Sequence, residues 1–151
     1  MRVAIDPGLH NLGLCCVADD ASIVDWRVVD LCPTVRNPPI DRIVRAATTF
    51  VASLQLEADT NVRIEQQPAA NVKMKVLCHV LQALLIARAA NVSIVSPKTY
   101  KTAGGTYHRR KKDSVTRATT MVEGTPWAAT FQEHAKKDDL ADALLLARWP
   151  G

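Results

Sequence analysis

Asp6 closes the apolar stretch RVAID, Glu65 lies near the end of NVRIEQ, and KKDDLADALLLA carries Asp138, Asp139 and Asp142. Carboxylates brought together repel one another, so a cluster of them calls for a compensating cation. An all-oxygen donor set suits Mg²⁺ or Mn²⁺ better than zinc. Two such ions about 3.5–4 Å apart can activate water and stabilise the leaving oxygen when a phosphodiester is cut. Each stretch also has a plainer reading. An Asp before Pro-Gly is a common turn residue, Glu65 fits a solvated strand end, and acids opening a helix favour its dipole. Convergence of the three stretches on one place is what would separate the two readings, and that depends on the elements that carry them.

Residues 2–6 and 12–18 read as strands around the Pro7-Gly8 turn, and 21–31 as a third strand completing a meander. Three prolines make 32–39 a loop. From Ile40 the apolar positions follow helical spacing through Leu54, after Pro39 and with Asp41 in the first turn. A strand at 61–66, a helix at 69–90, a strand at 91–97, a glycine-containing loop at 102–110 and a helix at 111–122 follow. The stretch 136–149 closes the chain as an Ala- and Leu-rich helix. Helical crossovers require the later strands to pair in parallel, so the expectation is one α/β domain over 1–151, a five-stranded mixed sheet flanked by helices. In the first strand Ala4 and Asp6 share a side, and in the fourth Arg63 and Glu65 do. If these strands are parallel neighbours, both acids reach the carboxyl-end edge of the sheet, where open α/β sheets bind ligands. Asp139 and Asp142, three apart, share a helix face.

Charge is unevenly placed. Net charge is +4, yet residues 98–117 hold seven Lys or Arg against one acid, and the rest of the chain is net −2. The basic residues Lys98, Lys101, Arg109, Arg110, Lys111 and Lys112 form a candidate surface for a polyanion, most simply nucleic acid, although such a run also fits a solvated loop. Charges interrupt every apolar run before the roughly 18 residues a membrane span needs, and no charged-then-apolar leader precedes the first strand. Cys15, Cys16, Cys32 and Cys78 contain no CxxC pair and read as buried free thiols in a reducing, intracellular compartment, with Cys15 and Cys16 on opposite sides of one strand.

The stretches IDPGLHNLGLC, IEQQP and KKDDLADALLLA resemble, in order and spacing, the three acidic motifs of Holliday-junction resolvases, most of all the poxvirus-type enzymes, with bacterial RuvC and the fungal mitochondrial resolvases as relatives. The resemblance spans Asp6 to Arg148 and implies a ribonuclease-H-like fold. It implies that Asp6, Glu65, Asp139 and Asp142 are catalytic and hold Mg²⁺, two ions per site, with Mn²⁺ as a substitute. Lys136 and Lys137 match a basic pair and would touch phosphate. The family acts as homodimers that cut four-way DNA junctions by paired symmetric nicks, a two-fold assembly meeting a two-fold substrate. The broad apolar stripe of 69–90 is the expected dimer contact.

One departure stands out. Bacterial relatives carry an aromatic residue just after the Glu motif, whereas this chain has Gln67, Pro68, Ala69 and Ala70. Tyr107, within the basic stretch, is the candidate substitute for stacking on bases. A related nuclease acting on RNA–DNA hybrids, flaps or forks would keep the same carboxylates, and a non-catalytic junction-binding protein would lose one. An ATP-binding hairpin of the actin and sugar-kinase type needs a second lobe for which 151 residues leave no room.

Overall fold

The computed structural model describes residues 1–88, 90–101 and 106–150. Five strands, β1 (Arg2–Asp6), β2 (Leu12–Val17), β3 (Ile23–Val29), β4 (Asn61–Glu65) and β5 (Asn91–Val95), form one sheet in the order β3-β2-β1-β4-β5. The first three are an antiparallel meander, and β1, β4 and β5 are mutually parallel, as the helical crossovers require. Helices α1 (Ile40–Ser53) and α2 (Val72–Ala87) cover one face. The other is covered by α3 (Pro97–Tyr100), α4 (Tyr107–Val122), α5 (Trp127–Glu133) and α6 (Lys137–Arg148).

Strand alternation divides the core in two. Val3, Ile5, Leu12, Leu14, Cys16, Val62 and Ile64 pack under α1 and α2. Ala4, Cys15, Val17, Trp26 and Val95 pack under α6 with Phe131 of α5. Cys15 and Cys16 do fall on opposite faces, and all four cysteines are buried free thiols. Helix α6 lies across the middle of its face and is buried from Leu140 to Ala147. It can lie that close because Gly13 has no side chain: a Cβ there would stand 2.5 Å from the Asp139 carbonyl oxygen and 3.2 Å from the Ala143 Cβ. Trp26 Nε1–H donates to the Leu140 carbonyl (2.9 Å), and Arg63 of β4 donates to the carbonyls of Leu146 and Trp149. That guanidinium satisfies acceptors which a helix C-terminus otherwise leaves open.

Several boundaries differ from the sequence expectation. The fifth strand stops at Val95 because Ser96-Pro97 starts the short α3, with proline at its first turn. Helix α2 starts at Val72, not Ala69, since the Asn71 side chain caps it by accepting from the Met74 N–H at 3.2 Å. Tyr107–Arg110, expected in a loop, form the first turn of α4, capped by Thr106 accepting from the Arg109 N–H at 3.3 Å; residues 102–105 of that expected loop lie outside the described residues. Helix α5 had no counterpart in the sequence reading; it is held by Phe131, fully buried and stacked on Trp26 at 4.9 Å between ring centroids. Among the described residues no helix is long and apolar enough to cross a membrane.

Candidate metal centre

Strands β1 and β4 run in parallel with Ile5 paired to Ile64, so their next residues, Asp6 and Glu65, emerge side by side at the carboxyl end of the sheet. Both point to the α6 face, as Ala4 and Arg63 do. Across that face α6 brings Asp142, and oxygens of Asp6, Glu65 and Asp142 all lie within 4.8 Å of one another. The hairpin that releases Asp6 is tight: a Cβ on Gly8 would stand 2.4 Å from the Asn11 carbonyl oxygen. Beyond it, His10 Nδ1 pairs with Asp30 Oδ1 at 3.0 Å, which pins the turn to the end of β3.

Glu65 and Asp142 are buried and Asp6 and Asp139 half-buried. Burial, reinforced by the charge of Glu65, pushes the Asp6 carboxyl well above its usual range. Asp139 stands one turn before Asp142 on the same cleft wall, outside the tight trio. Burial, then the neighbouring Asp138, raises its carboxyl to about 6. Asp138 faces elsewhere and pairs with Lys111; that hydrogen bond outweighs partial burial and holds it below the usual range.

Two residues that the sequence reading had not placed at the centre are there. Lys101 Nζ lies 2.7 Å from Glu65 Oε2 and 2.7 Å from Asp142 Oδ2. Burial works against its charge, but the Glu65, Asp142 and Asp6 carboxylates win and hold it above its ordinary value. Buried Tyr100 donates its hydroxyl to Glu65 Oε2, and burial followed by the Glu65 charge drives its own ionisation far up. Both residues sit where α3 ends, and α3 is the short helix that the sequence pattern did not reveal. The only sequence signal was Ser96-Pro97, a strand-to-helix punctuation.

The carboxylates form the floor of a cleft of about 740 Å³. Lys98, Arg110 and Lys111 line its walls with Tyr107, Pro68 and Pro97. Arg109 and Lys112 are exposed on α4 but outside the lining. Lys136 is exposed and Lys137 half-exposed at the start of α6, and His134 Nδ1 accepts from the Lys136 N–H at 3.0 Å, closing the turn that begins that helix. Tyr107 is exposed at the cleft rim with the Lys111 ammonium 5.0 Å from its ring centre.

This donor set fits a hard divalent cation. All its donors are carboxylate oxygens, one ammonium leaves them in excess negative charge, and Asp142 Oδ1 is buried with no hydrogen-bond partner. A buried anionic oxygen left without a partner, on a member of an acidic cluster, is the mark of a place where a cation fits.

The model of the family described as Poxvirus A22 protein matches residues 1–149. Among solved structures, the fowlpox virus resolvase in complex with substrate Holliday junction DNA superposes with a TM-score of 0.71 at 15% identity, over 97% of this chain and 95% of that one. Thermus thermophilus RuvC superposes at 0.61 with 22% identity in its Holliday junction complex, over 97% and 88% of the two chains. A second Thermus thermophilus RuvC structure gives 0.58 and 19%, over 97% and 90%. No curated protein sequence matches the chain. The likenesses to solved structures place the fold in the ribonuclease-H-like group, as the resemblance of the three acidic stretches implied.

Proposed function

The chain belongs to the Poxvirus A22 protein family, and from that premise we propose that it is a metal-dependent endodeoxyribonuclease that resolves four-way DNA junctions by paired, symmetric nicks. The observation that carries this reading is the convergence of Asp6, Glu65 and Asp142 at the floor of a cleft walled by Lys98 and Arg110. Support comes also from the fowlpox and Thermus neighbours, whose structures contain Holliday junction DNA.

Asp6, Glu65, Asp139 and Asp142 hold Mg²⁺, with Mn²⁺ as substitute and two ions per site. Bound there, the metal supplies activation of the attacking water and charge stabilisation at the scissile phosphate. The chain's own residues do the rest. Tyr100 fixes the Glu65 carboxylate by donating to Oε2. Asp138, engaged by Lys111, is left out of the ligand set. Lys98 and Arg110 meet the backbone phosphates that a bare acidic floor would repel, Arg109, Lys112, Lys136 and Lys137 extend the basic surface, and Tyr107 offers an exposed ring for a base beside the cut.

The whole chain works as one nuclease domain and pairs as a homodimer. A surface groove of about 490 Å³ along the outer side of α2, lined by Val72, Val76, Val80 and Ala83 with Lys75 and His79, supports that contact. Four buried thiols suit a reducing compartment.

The deciding experiment is cleavage of a strand-labelled immobile four-way junction with Mg²⁺, beside duplex, flap and RNA–DNA hybrid controls. Symmetric paired nicks, lost in Asp6→Asn while folding and junction binding persist, are the expected result. Preference for the hybrid or the flap would move the function to a related nuclease, and binding without cutting would make the chain an architectural protein.

A further inference from the structure

The ammonium of Lys101 stands between Glu65 Oε2 and Asp142 Oδ2, 2.7 Å from each. These two acids, with Asp6, are the ones assigned above to the divalent ion. Magnesium takes its carboxylate oxygens at about 2.0–2.1 Å in a strict octahedron. An ammonium bonded to two of the same oxygens competes with it for position and for charge. We propose that Lys101 is a tethered counter-cation, which neutralises the carboxylates in the metal-free protein, is displaced when the ion binds, and then offers its charge to the DNA phosphate. The proposal rests on the reading of Asp6, Glu65 and Asp142 as ion ligands.

The surroundings suit a temporary occupant. Glu65 Oε2 receives both Lys101 and the Tyr100 hydroxyl, whereas Asp142 Oδ1 receives nothing. The lysine therefore satisfies the acids incompletely, and a divalent ion able to use several oxygens gains what the ammonium leaves. The main chain need not move for the exchange, because the four-carbon stem rotates while the Lys101 N–H stays on the Pro97 carbonyl at 3.0 Å. Lys98, Arg110 and Pro97 line the same cleft, so an expelled ammonium joins the wall that faces phosphate. Ion binding would then change the cleft from self-neutralised to receptive. By linkage DNA would tighten the ion to the same degree that the ion tightens DNA.

The test measures Mn²⁺ affinity of the DNA-free protein by calorimetry for wild type, Lys101→Met and Asp142→Asn. Lys101→Met should bind Mn²⁺ at least about ten- to a hundredfold more tightly, because two ammonium contacts no longer have to be broken and even one charge-assisted hydrogen bond carries that weight. Its melting temperature should fall without metal and match wild type at Mn²⁺ saturation. A merely structural lysine would lower both melting temperatures and leave affinity unchanged or weaker, and that result overturns the proposal. Should Lys101→Met fail to fold without metal, side-chain ¹⁵Nζ NMR of the wild-type protein decides. A protected ammonium signal should be present in chelator and be lost or shifted on saturation with Mg²⁺, and an unchanged signal refutes displacement. Wild-type Mn²⁺ affinity in Asp142→Asn would instead sink the ion assignment itself, and with it the nuclease reading.

Discussion

Gly13→Ala adds one uncharged methyl group and removes no ligand, yet it should disable the site. The new Cβ would stand 2.5 Å from the Asp139 carbonyl oxygen where ordinary contact begins at 3.4 Å, so strand β2 and helix α6 must part by about 0.9 Å. The obstacle is main chain on both sides, so no rotamer change relieves it. Overpacking of this kind costs about 1–3 kcal/mol, less the roughly 0.5–1 kcal/mol by which alanine outdoes glycine inside a strand. The net cost is up to about 2.5 kcal/mol, and at about 2–4 °C per kcal/mol for a chain of this length the melting temperature should fall by up to roughly 10 °C. The effect on the site is larger. Metal ligation tolerates about 0.2 Å, and the displaced helix carries both Asp139 and Asp142. Mn²⁺ affinity should fall, and junction cleavage should drop about 100-fold, as for a misplacement near 1 Å. Ala143→Gly added to the variant should recover little, because its Cβ is the more distant obstacle at 3.2 Å. Calorimetric melting, Mn²⁺ titration and single-turnover cleavage would be run on the same preparations. Unchanged values in all three would show that α6 does not sit against β2 as closely as described, and the reasoning would fail.

Other outcomes follow from the same geometry. The Asp139 carboxyl, raised to about 6, contributes stability that is complete below its ordinary value of 3.8 and lost as pH rises through 6. Asp139→Asn in chelator should therefore be more stable than wild type at pH 7.5 by about 1–2 kcal/mol after allowance for solvent screening. Urea titrations should show the gain vanish near pH 4; a gain that persists there would assign it to something other than the charge. Replacing Arg109, Arg110 and Lys112 together with Gln should flatten the slope of log affinity against log salt by about 0.9 for each phosphate no longer neutralised, with fluorescence anisotropy on the junction as the check and an unchanged slope as the refutation. Val72→Glu with Val76→Glu should leave melting nearly unchanged but produce monomers in sedimentation, and a surviving dimer would move the contact off α2.

The carboxylates were legible because each depended on a regular period. Asp6 and Glu65 fall on one side by strand alternation and at one edge by parallel pairing. Asp139 and Asp142 share a face by helical spacing. The basic stretch was legible only as charge. Counting lysines could not separate Lys98, which lines the cleft wall, from Lys101, which lies among the acids, or Lys111, which holds Asp138. Those partners are set by where α3 ends and α4 begins, and the glycines and charges around 102–110 hid the first turn of α4 behind a loop-like composition. Helix α5 escaped for another reason: seven residues give too few apolar repeats, and its stability comes from Phe131 meeting Trp26 across the fold.

The anchoring of α6 ties the acid cluster to the stability of the core. Arg63 of β4 holds the far end of that helix, and Glu65, two residues along the same strand, meets Asp142 at its middle through Lys101. The helix that completes the acid cluster is therefore also a large part of the core, buried from Leu140 to Ala147. Local opening that lifts α6 takes Asp142 away from Asp6 and Glu65 at the moment it uncovers that face of the sheet. The cluster and the packing beneath it are lost together, so no partly opened form keeps an assembled site.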